Sequence, residues 1–543
     1  MRGGCKAYSV PILLSIALFS YGAFQTTPIV VNVHDFLGLT SRLNPAYWVG
    51  LSILVLCSVL AYFDSGLKNA WVFLLVLLAL ALFLFGIRAF VEANPADPYS
   101  FEFISTAEHV MRDHHVDPFS RTAVQTYDVS PAIGLWSAAL LYVSGIEALD
   151  FLKYYSLLWV VGYISITFLI ARRLGLAANR AFLVAVLVLC ASWTLWHNSF
   201  SAQSLALILY LLSFAFLIGS TKTRAQGILG IVTFASLVIT HGLTAFSGVL
   251  SVGSVRLFSR RGIVGLAVFA CLFLTWYALV AFGGFQMGVY MFWYVMADMD
   301  FFACFRSSPG YSVAPSLARM ASQAIRLAYP AIFGLCVATG VLLYLKKRVD
   351  PKGAAVIRFS LTWILGLAPL LLMGYGEEIE FRFFVLSIVP MACIMVAAFS
   401  TRRLRASLMI LMILLIFLHV PATYSTESIE QTTDSELEGA RFFAAHGLTE
   451  RWFYYGGSAR NLFFFKPELR TNRTYIEGPA SSSRTGEIEP SYFNAVEYVL
   501  DSAQGRNFFI YTYGHDPLDA WKARSIVNLT YDNGDFRTYQ KVG

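Results

Sequence analysis

The sequence predicts a polytopic α-helical membrane protein of about thirteen spans with a small α/β domain at its C-terminal end. Three observations carry this. Hydrophobic residues make up 57% of the chain and charged residues only 13%, about half the 25% of an ordinary soluble domain. Apolar runs close to the roughly 20 residues that cross a hydrocarbon core about 30 Å thick recur up to residue 421. Beyond that point Gly, charged and polar residues become frequent.

Spans are expected near 8–30, 46–63, 70–90, 154–172, 181–198, 203–219, 226–240, 243–256, 263–283, 328–345, 355–375, 382–400 and 406–421. The run Leu13–Val31 is too long for a signal-peptide core and lacks a small-residue cleavage motif, so it reads as a true span. With the N-terminus inside, the inner turns hold nineteen basic residues, among them Arg172, Arg173, Lys346, Lys347 and Arg402, against Asp64 and Asp350. The outer loops up to residue 421 hold nine basic and fifteen acidic residues. That is the positive-inside asymmetry. The net charge of +7 is therefore topology, which argues against a nucleic-acid partner. The segment 130–145, SPAIGLWSAALLYVSG, is short for a span, and counting it would invert every later loop. It reads as a helix lying in the outer interface, inside a long acidic loop over 88–153.

An odd number of spans places 422–543 outside. There Asp434–His446 reads as a helix, Arg451–Tyr455 as a strand, Tyr492–Ala503 as a helix and Asn507–Tyr513 as a strand. Asn533-Gly534 between alternating apolar residues signals a type I′ hairpin. The alternation predicts a small α/β domain, dividing the chain into 1–421 and 422–543. Asn472 and Asn528 open N-glycosylation sequons on this side. The seven cysteines are scattered, with no CxxC, and read as small apolar residues.

The stretch 91–131 concentrates titratable groups. Glu92, Asp97, Glu102, Glu108, His109, Asp113, His114, His115 and Asp117 fall within 26 positions. Prolines flank Asp97, which presents its carboxylate from an extended or turned backbone. Partial desolvation at a membrane edge raises a carboxyl pKa, as a general base working near neutral pH requires. For any one acid a merely solvated loop is the competing reading. His114-His115 lacks the spacing of a metal motif. The turn Trp196–Gln203, with His197, either lines an outer cavity or simply joins two helices, and His241 at a span's outer end has the same two readings. Asp298-Met-Asp300 fits a metal-binding DxD pair or a helix cap. Arg382 opens a span on the outer side beside Glu377, Glu378 and Glu380, against the inside bias. A guanidinium there suits a phosphate, which it binds bidentately, or a salt bridge to Glu378 or Glu380.

Taken together, the D-P-Y acid in the first long outer loop, the interfacial SPAIGLWSAALLYVSGI, the basic turn ARRLG…NR, the late FRFFVLSIVP and the C-terminal outer domain resemble the GT-C superfamily of membrane glycosyltransferases. The layout is most similar to protein O-mannosyltransferase-like and aminoarabinose-transferase-like members. Two extra early spans and the absence of a WWDYG-type motif depart from other branches. The resemblance implies a polyprenyl (or dolichyl) phosphate-linked sugar donor, an acceptor on the outer face and inversion at the sugar. It implies Asp97 as the catalytic acid of the first loop, with Glu92 and Glu102 as candidates for a second. It implies Arg382 at the carrier phosphate, with Tyr99, His109, His197 and Glu378 as further substrate contacts. No cofactor is obligatory, while a divalent metal stays open. The rival class is a flippase or transporter of lipid-linked saccharide. Ionisable groups in transporters gather near the bilayer midplane, whereas here they crowd one face.

Overall fold

The computed structural model describes residues 3–25, 28–64, 70–114, 116, 130–218, 223–259, 264–282, 286, 317–372, 379–446, 452–454, 462, 465, 475–477, 498–513, 516, 518–523 and 527–541. Every expected span coincides with a helix. In chain order, with the two helices of the acidic loop included, they are α1 (Gly3–Gln25), α2 (Pro45–Phe63), α3 (Trp71–Val91), α4 (Pro98–Asp113), α5 (Ala132–Ser144), α6 (Ala148–Arg173), α7 (Ala178–Ala191), α8 (Ala202–Leu217), α9 (Arg224–Thr240), α10 (Gly242–Ser259), α11 (Gly265–Val280), α12 (Leu317–Leu345), α13 (Pro351–Leu367), α14 (Ile379–Ala398) and α15 (Arg402–Tyr424). Eight helices among the described residues are long and apolar enough to cross a membrane, and six further apolar helices are shorter, five of them at expected spans.

The first helix ends earlier than expected. Helix α1 stops at Gln25, and the chain beyond it is held by pairing instead: the Ile29 amide donates to the Val91 carbonyl, and Val31 donates to the side chain of Gln431. The bundle has a dry centre. From Ala181 to Ala191 every residue of α7 is buried, and 83% of the apolar window of α14 is buried. A helix apolar all round belongs inside a large core. By contrast α1 and α12 are 28% and 17% buried, and present Leu13, Leu14, Leu335 and Leu342 outward, where lipid would meet them.

Helix α3 carries a π-helical turn over Leu82–Gly86. Such a turn frees carbonyls from the i→i−4 ladder, and buried carbonyls need donors. Three neighbours supply them: Tyr47 Oη donates to Phe83 O at 3.0 Å, Tyr424 Oη to Leu84 O at 2.7 Å and Ser156 Oγ to Phe85 O at 3.2 Å. The turn locks α3 to α2, α15 and α6 just before Arg88. Gly38 makes a second tight junction. Its φ is +56°, and a Cβ there would lie 2.3 Å from Tyr424 O.

The C-terminal region folds as α16 (Asp434–His446), α17 (Ala503–Tyr513) and a mixed sheet of β1 (Trp452–Tyr454), β2 (Tyr475–Glu477), β3 (Tyr498–Ser502), β4 (Val527–Asp532) and β5 (Phe536–Lys541), in order β2-β1-β3-β5-β4. Strand β1 runs parallel to β2 and β3, while β5 runs antiparallel to β3 and β4. Two expectations are reversed here. Residues 498–502, expected in a helix, form the central strand, and 507–513, expected as a strand, lie in α17. The aromatic alternation of Asn507–Tyr513 reads as a strand locally, but the two sides of β3 are already taken by β1 and β5. The hairpin is present with a different turn. Only Gly534 has positive φ, so the tight turn is Gly534-Asp535 in the II′ sense, flanked by Asn533 and Phe536. Asn528 lies exposed on β4, while Asn472 is outside the described residues.

Candidate functional site

Two polar groups lie at helix ends of the bundle. The first is a buried charge cluster built by α3, α12 and the turn Glu427–Glu430 that follows α15. Arg88 donates from Nε and Nη2 to Glu427 Oε2 at 3.0 and 2.5 Å, and from Nη2 to Glu430 Oε2 at 2.7 Å. Its guanidinium lies 5.4 Å from the Tyr424 ring centroid. Arg326 donates to Ala422 O and to Thr426 Oγ1, both at 2.8 Å, and Thr426 donates to Glu430 Oε1 at 2.5 Å. Glu92 is 2% exposed and Glu427 is fully buried. Both oxygens of Glu92 and Oε1 of Glu427 receive no N–H or hydroxyl donor, and the two carboxyls instead hydrogen-bond each other through the proton that Glu92 keeps. Burial first, and the neighbouring Glu427 charge second, push the Glu92 carboxyl well above the usual carboxylate range. Held as an acid, Glu92 leaves two guanidiniums opposite two carboxylates, which is the neutral composition a dry site demands.

Asp97 borders this cluster. Its amide donates to Glu430 O at 2.9 Å, and its carboxylate caps α4 by accepting from Tyr99 N at 3.1 Å and Ser100 Oγ at 3.3 Å. It is 3% exposed and has φ +75°. A non-glycine residue there costs on the order of 1–3 kcal/mol and persists only where its surroundings impose it. The Ser100 hydroxyl also accepts the Phe200 amide at 3.0 Å, tying the acidic loop to the start of α8.

The second group is a cavity lined by Gln203 and Leu207 of α8, His241, Leu243 and Thr244 at the start of α10, and Arg382, Val385 and Leu386 of α14. Three helix ends thus converge on one cation. That cation, Arg382, stands on the first turn of the largely buried α14. Beside it, burial first and the Arg382 charge second hold His241 down to about 3, so the ring is neutral at physiological pH. Trp193 takes Arg326 of the cluster at 5.5 Å over its ring and meets Phe381, the sequence neighbour of Arg382, edge-on at 5.9 Å.

The sequence-predicted residues divide accordingly. Arg382 lines the cavity, Glu92 belongs to the buried cluster with its carboxyl pushed up, and Asp97 borders that cluster through its amide bond to Glu430. Glu102 is half-buried on α4, and Tyr99 is 48% exposed at its first turn. His109 sits 3.2 Å from Arg112 of the same helix. His197 lies elsewhere. It is fully buried against Trp159 and Tyr163, its Nδ1 lies 2.6 Å from Thr194 Oγ1, and it is not part of the cavity lining. The helix Leu195–Asn198 turns it into the bundle. Glu378, Asp298, Asp300, His115 and Asp117 lie outside the described residues. Among the described residues no group of three His, Cys, Asp or Glu side chains is placed to hold a metal.

The cluster partners Arg88, Arg326, Glu427 and Glu430 were missed. Arg88 carried a usable signal, because it breaks the inside bias of basic residues at the outer end of a span, as Arg382 does. Its partners lie some 340 residues away, and nothing local announces them.

No protein-family model matches the chain, and no curated protein matches it. Among solved structures, the crystal structure of ArnT from Cupriavidus metallidurans bound to undecaprenyl phosphate is similar over 88% of this chain and 99% of that one, at 13% identity and a TM-score of 0.37.

Proposed function

We propose that the protein is an integral membrane glycosyltransferase that takes a sugar from a polyprenyl phosphate carrier and gives it to a hydroxyl acceptor at the outer face. One observation carries this reading most. An Arg-bearing cavity is lined in part by the first turns of α8, and the Ser100 hydroxyl ties the chain just before α8 to the loop that holds a strained, buried Asp97.

In the proposed reaction Asp97 takes the proton of the acceptor hydroxyl as its oxygen attacks the anomeric carbon. The bond from that carbon to the carrier phosphate breaks, and the electron pair leaves with the phosphate. Attack from the face opposite the leaving group inverts the anomeric centre. Charge grows on the departing phosphate, so the useful interaction is one that strengthens there. Arg382 meets that need, and a guanidinium stays charged throughout. The apolar lining from Leu207, Leu243, Val385 and Leu386 suits the first carbons of a lipid carrier. The Glu92–Glu427–Arg88 cluster would keep the Asp97 backbone in place, since Glu430, part of that cluster, accepts the Asp97 amide.

The test is a transfer assay in membranes with a panel of radiolabelled polyprenyl-phosphate sugars, comparing wild type with Asp97→Asn. Asparagine tolerates positive φ and can cap α4, so the variant keeps its fold. Transfer by wild type that Asp97→Asn abolishes supports the reading. Transfer that survives moves the base to another acid of the loop, and lipid movement across vesicles without any sugar release overturns the class.

A further inference from the structure

The chemistry of His241 is set by Thr244. The Thr244 backbone amide donates to His241 Nδ1 at 3.3 Å, and the Thr244 hydroxyl lies 2.9 Å from the same nitrogen. A backbone N–H only donates, so Nδ1 must be the unprotonated nitrogen. In the neutral ring the hydrogen is then on Nε2, a donor. The ring lines the same cavity as Arg382 and Gln203. Two features keep this arrangement rigid. His241 ends α9, with its amide bonded to Leu237 O at 3.0 Å, and its carbonyl accepts Ala245 N at 3.0 Å in α10. Next to it Gly242 lies flat against Tyr277, where a Cβ would come 2.6 Å from the hydroxyl.

We propose that His241, locked as the Nε2–H tautomer by Thr244, is the second ligand of a phosphate ester held by Arg382. The proposal deepens the reading above and rests on it. A fixed neutral donor beside a guanidinium is suited to a phosphate oxygen. It adds a directed, charge-assisted hydrogen bond without setting a second cation against Arg382. The Gln203 side chain on the facing helix end supplies a third polar group. Among the described residues, the charged and titratable groups that face the ring are Arg382 from α14 and Tyr277 from α11, and none of the described residues that line the cavity is a carboxylate.

The experiment is equilibrium binding to the full-length protein in detergent, with two probes: a short-chain polyprenyl phosphate and inorganic phosphate. Three variants are compared with wild type: His241→Gln, which keeps a donor near the Nε2 position, His241→Phe, which keeps only the ring's bulk, and Arg382→Ala. The proposal predicts that His241→Phe weakens lipid phosphate about 10- to 100-fold, the range for losing a hydrogen bond to a charged group. His241→Gln should recover most of that loss. Histidine-selective ¹⁵N spectra should show one ring, absent in His241→Phe, with the proton on Nε2. Inorganic phosphate bound as tightly as the lipid would make the source a free anion, with His241 still its ligand. Loss of binding in Arg382→Ala but not in His241→Phe would overturn the role of His241 and leave the carrier site standing. Binding unchanged in both variants would overturn the carrier site itself.

Discussion

Removing a carboxylate from the buried cluster and removing its acid should have opposite severities. Glu427→Gln takes away the carboxylate that Arg88 contacts twice, at 3.0 and 2.5 Å, in a place where Glu427 is fully buried and Arg88 is 13% exposed. Breaking a buried pair from one side costs about 3–5 kcal/mol because the other charge is stranded. Arg88 retains Glu430 at 2.7 Å, which places the expected loss near the lower end, about 3 kcal/mol. Glu92→Gln replaces a group already held as the neutral acid with a neutral amide of the same shape. Its cost should stay under about 1 kcal/mol. The assay is unfolding of the purified protein in detergent at pH 7, with both variants beside wild type. Equal losses, or a larger loss for Glu92→Gln, would refute the assignment of charges in the cluster. The pH dependence checks the same point from another side. A carboxyl whose folded pKa lies above its unfolded value of about 4.3 stabilises fully below that value. The contribution fades as pH rises through the folded pKa, and Glu92→Gln should remove that part of the slope.

Other consequences can be measured in the same preparations. Thr433 and Glu436 form a reciprocal cap on α16, with Thr433 N donating to Glu436 Oε2 and Glu436 N to Thr433 Oγ1, both at 3.1 Å; Thr433→Ala should cost about 1 kcal/mol in proteolysis or unfolding of the C-terminal region. Burial pushes Glu436 up to about 7, so its contribution is complete below about 4.3 and is lost as pH rises through 7, a slope that Glu436→Gln should flatten. Gly439→Val should disrupt the same region, because even a Cβ would meet the Phe536 side chain at 2.4 Å, and normal tryptic resistance would contradict that packing. Arg382→Ala should lower sugar transfer at least 10-fold. Equal transfer would remove the cation from the mechanism.

Much of the fold was legible because the membrane reduces the possibilities to apolar helices and charged turns. The thirteen runs and the alternation of basic loops place α1–α3 and α6–α15 without any tertiary information. The alternation set 130–145 apart from the spans, and a helix of 13 residues, α5, forms there. The tail was read less well. Asn507–Tyr513 looks like a strand in isolation, and only the pairing of β3 with β1 and β5 decides otherwise. At the site, Arg382 was legible from its breach of the charge rule, and Asp97 from its flanking prolines. The positive φ of Asp97 and its place as a helix cap come from the Glu430 carbonyl, 333 positions away along the chain. His197 and His241 looked alike in sequence, each at the outer end of a helix. The structure separates them, because the one is turned into an aromatic core and the other toward an arginine.

The most direct measurement uses sealed membranes with the outer face exposed, a labelled polyprenyl-phosphate sugar added to that face, and no nucleotide sugar. The account predicts that the label leaves the lipid and appears in an acceptor with inverted anomeric configuration. Label that stays on intact lipid and moves to the inner leaflet would contradict it.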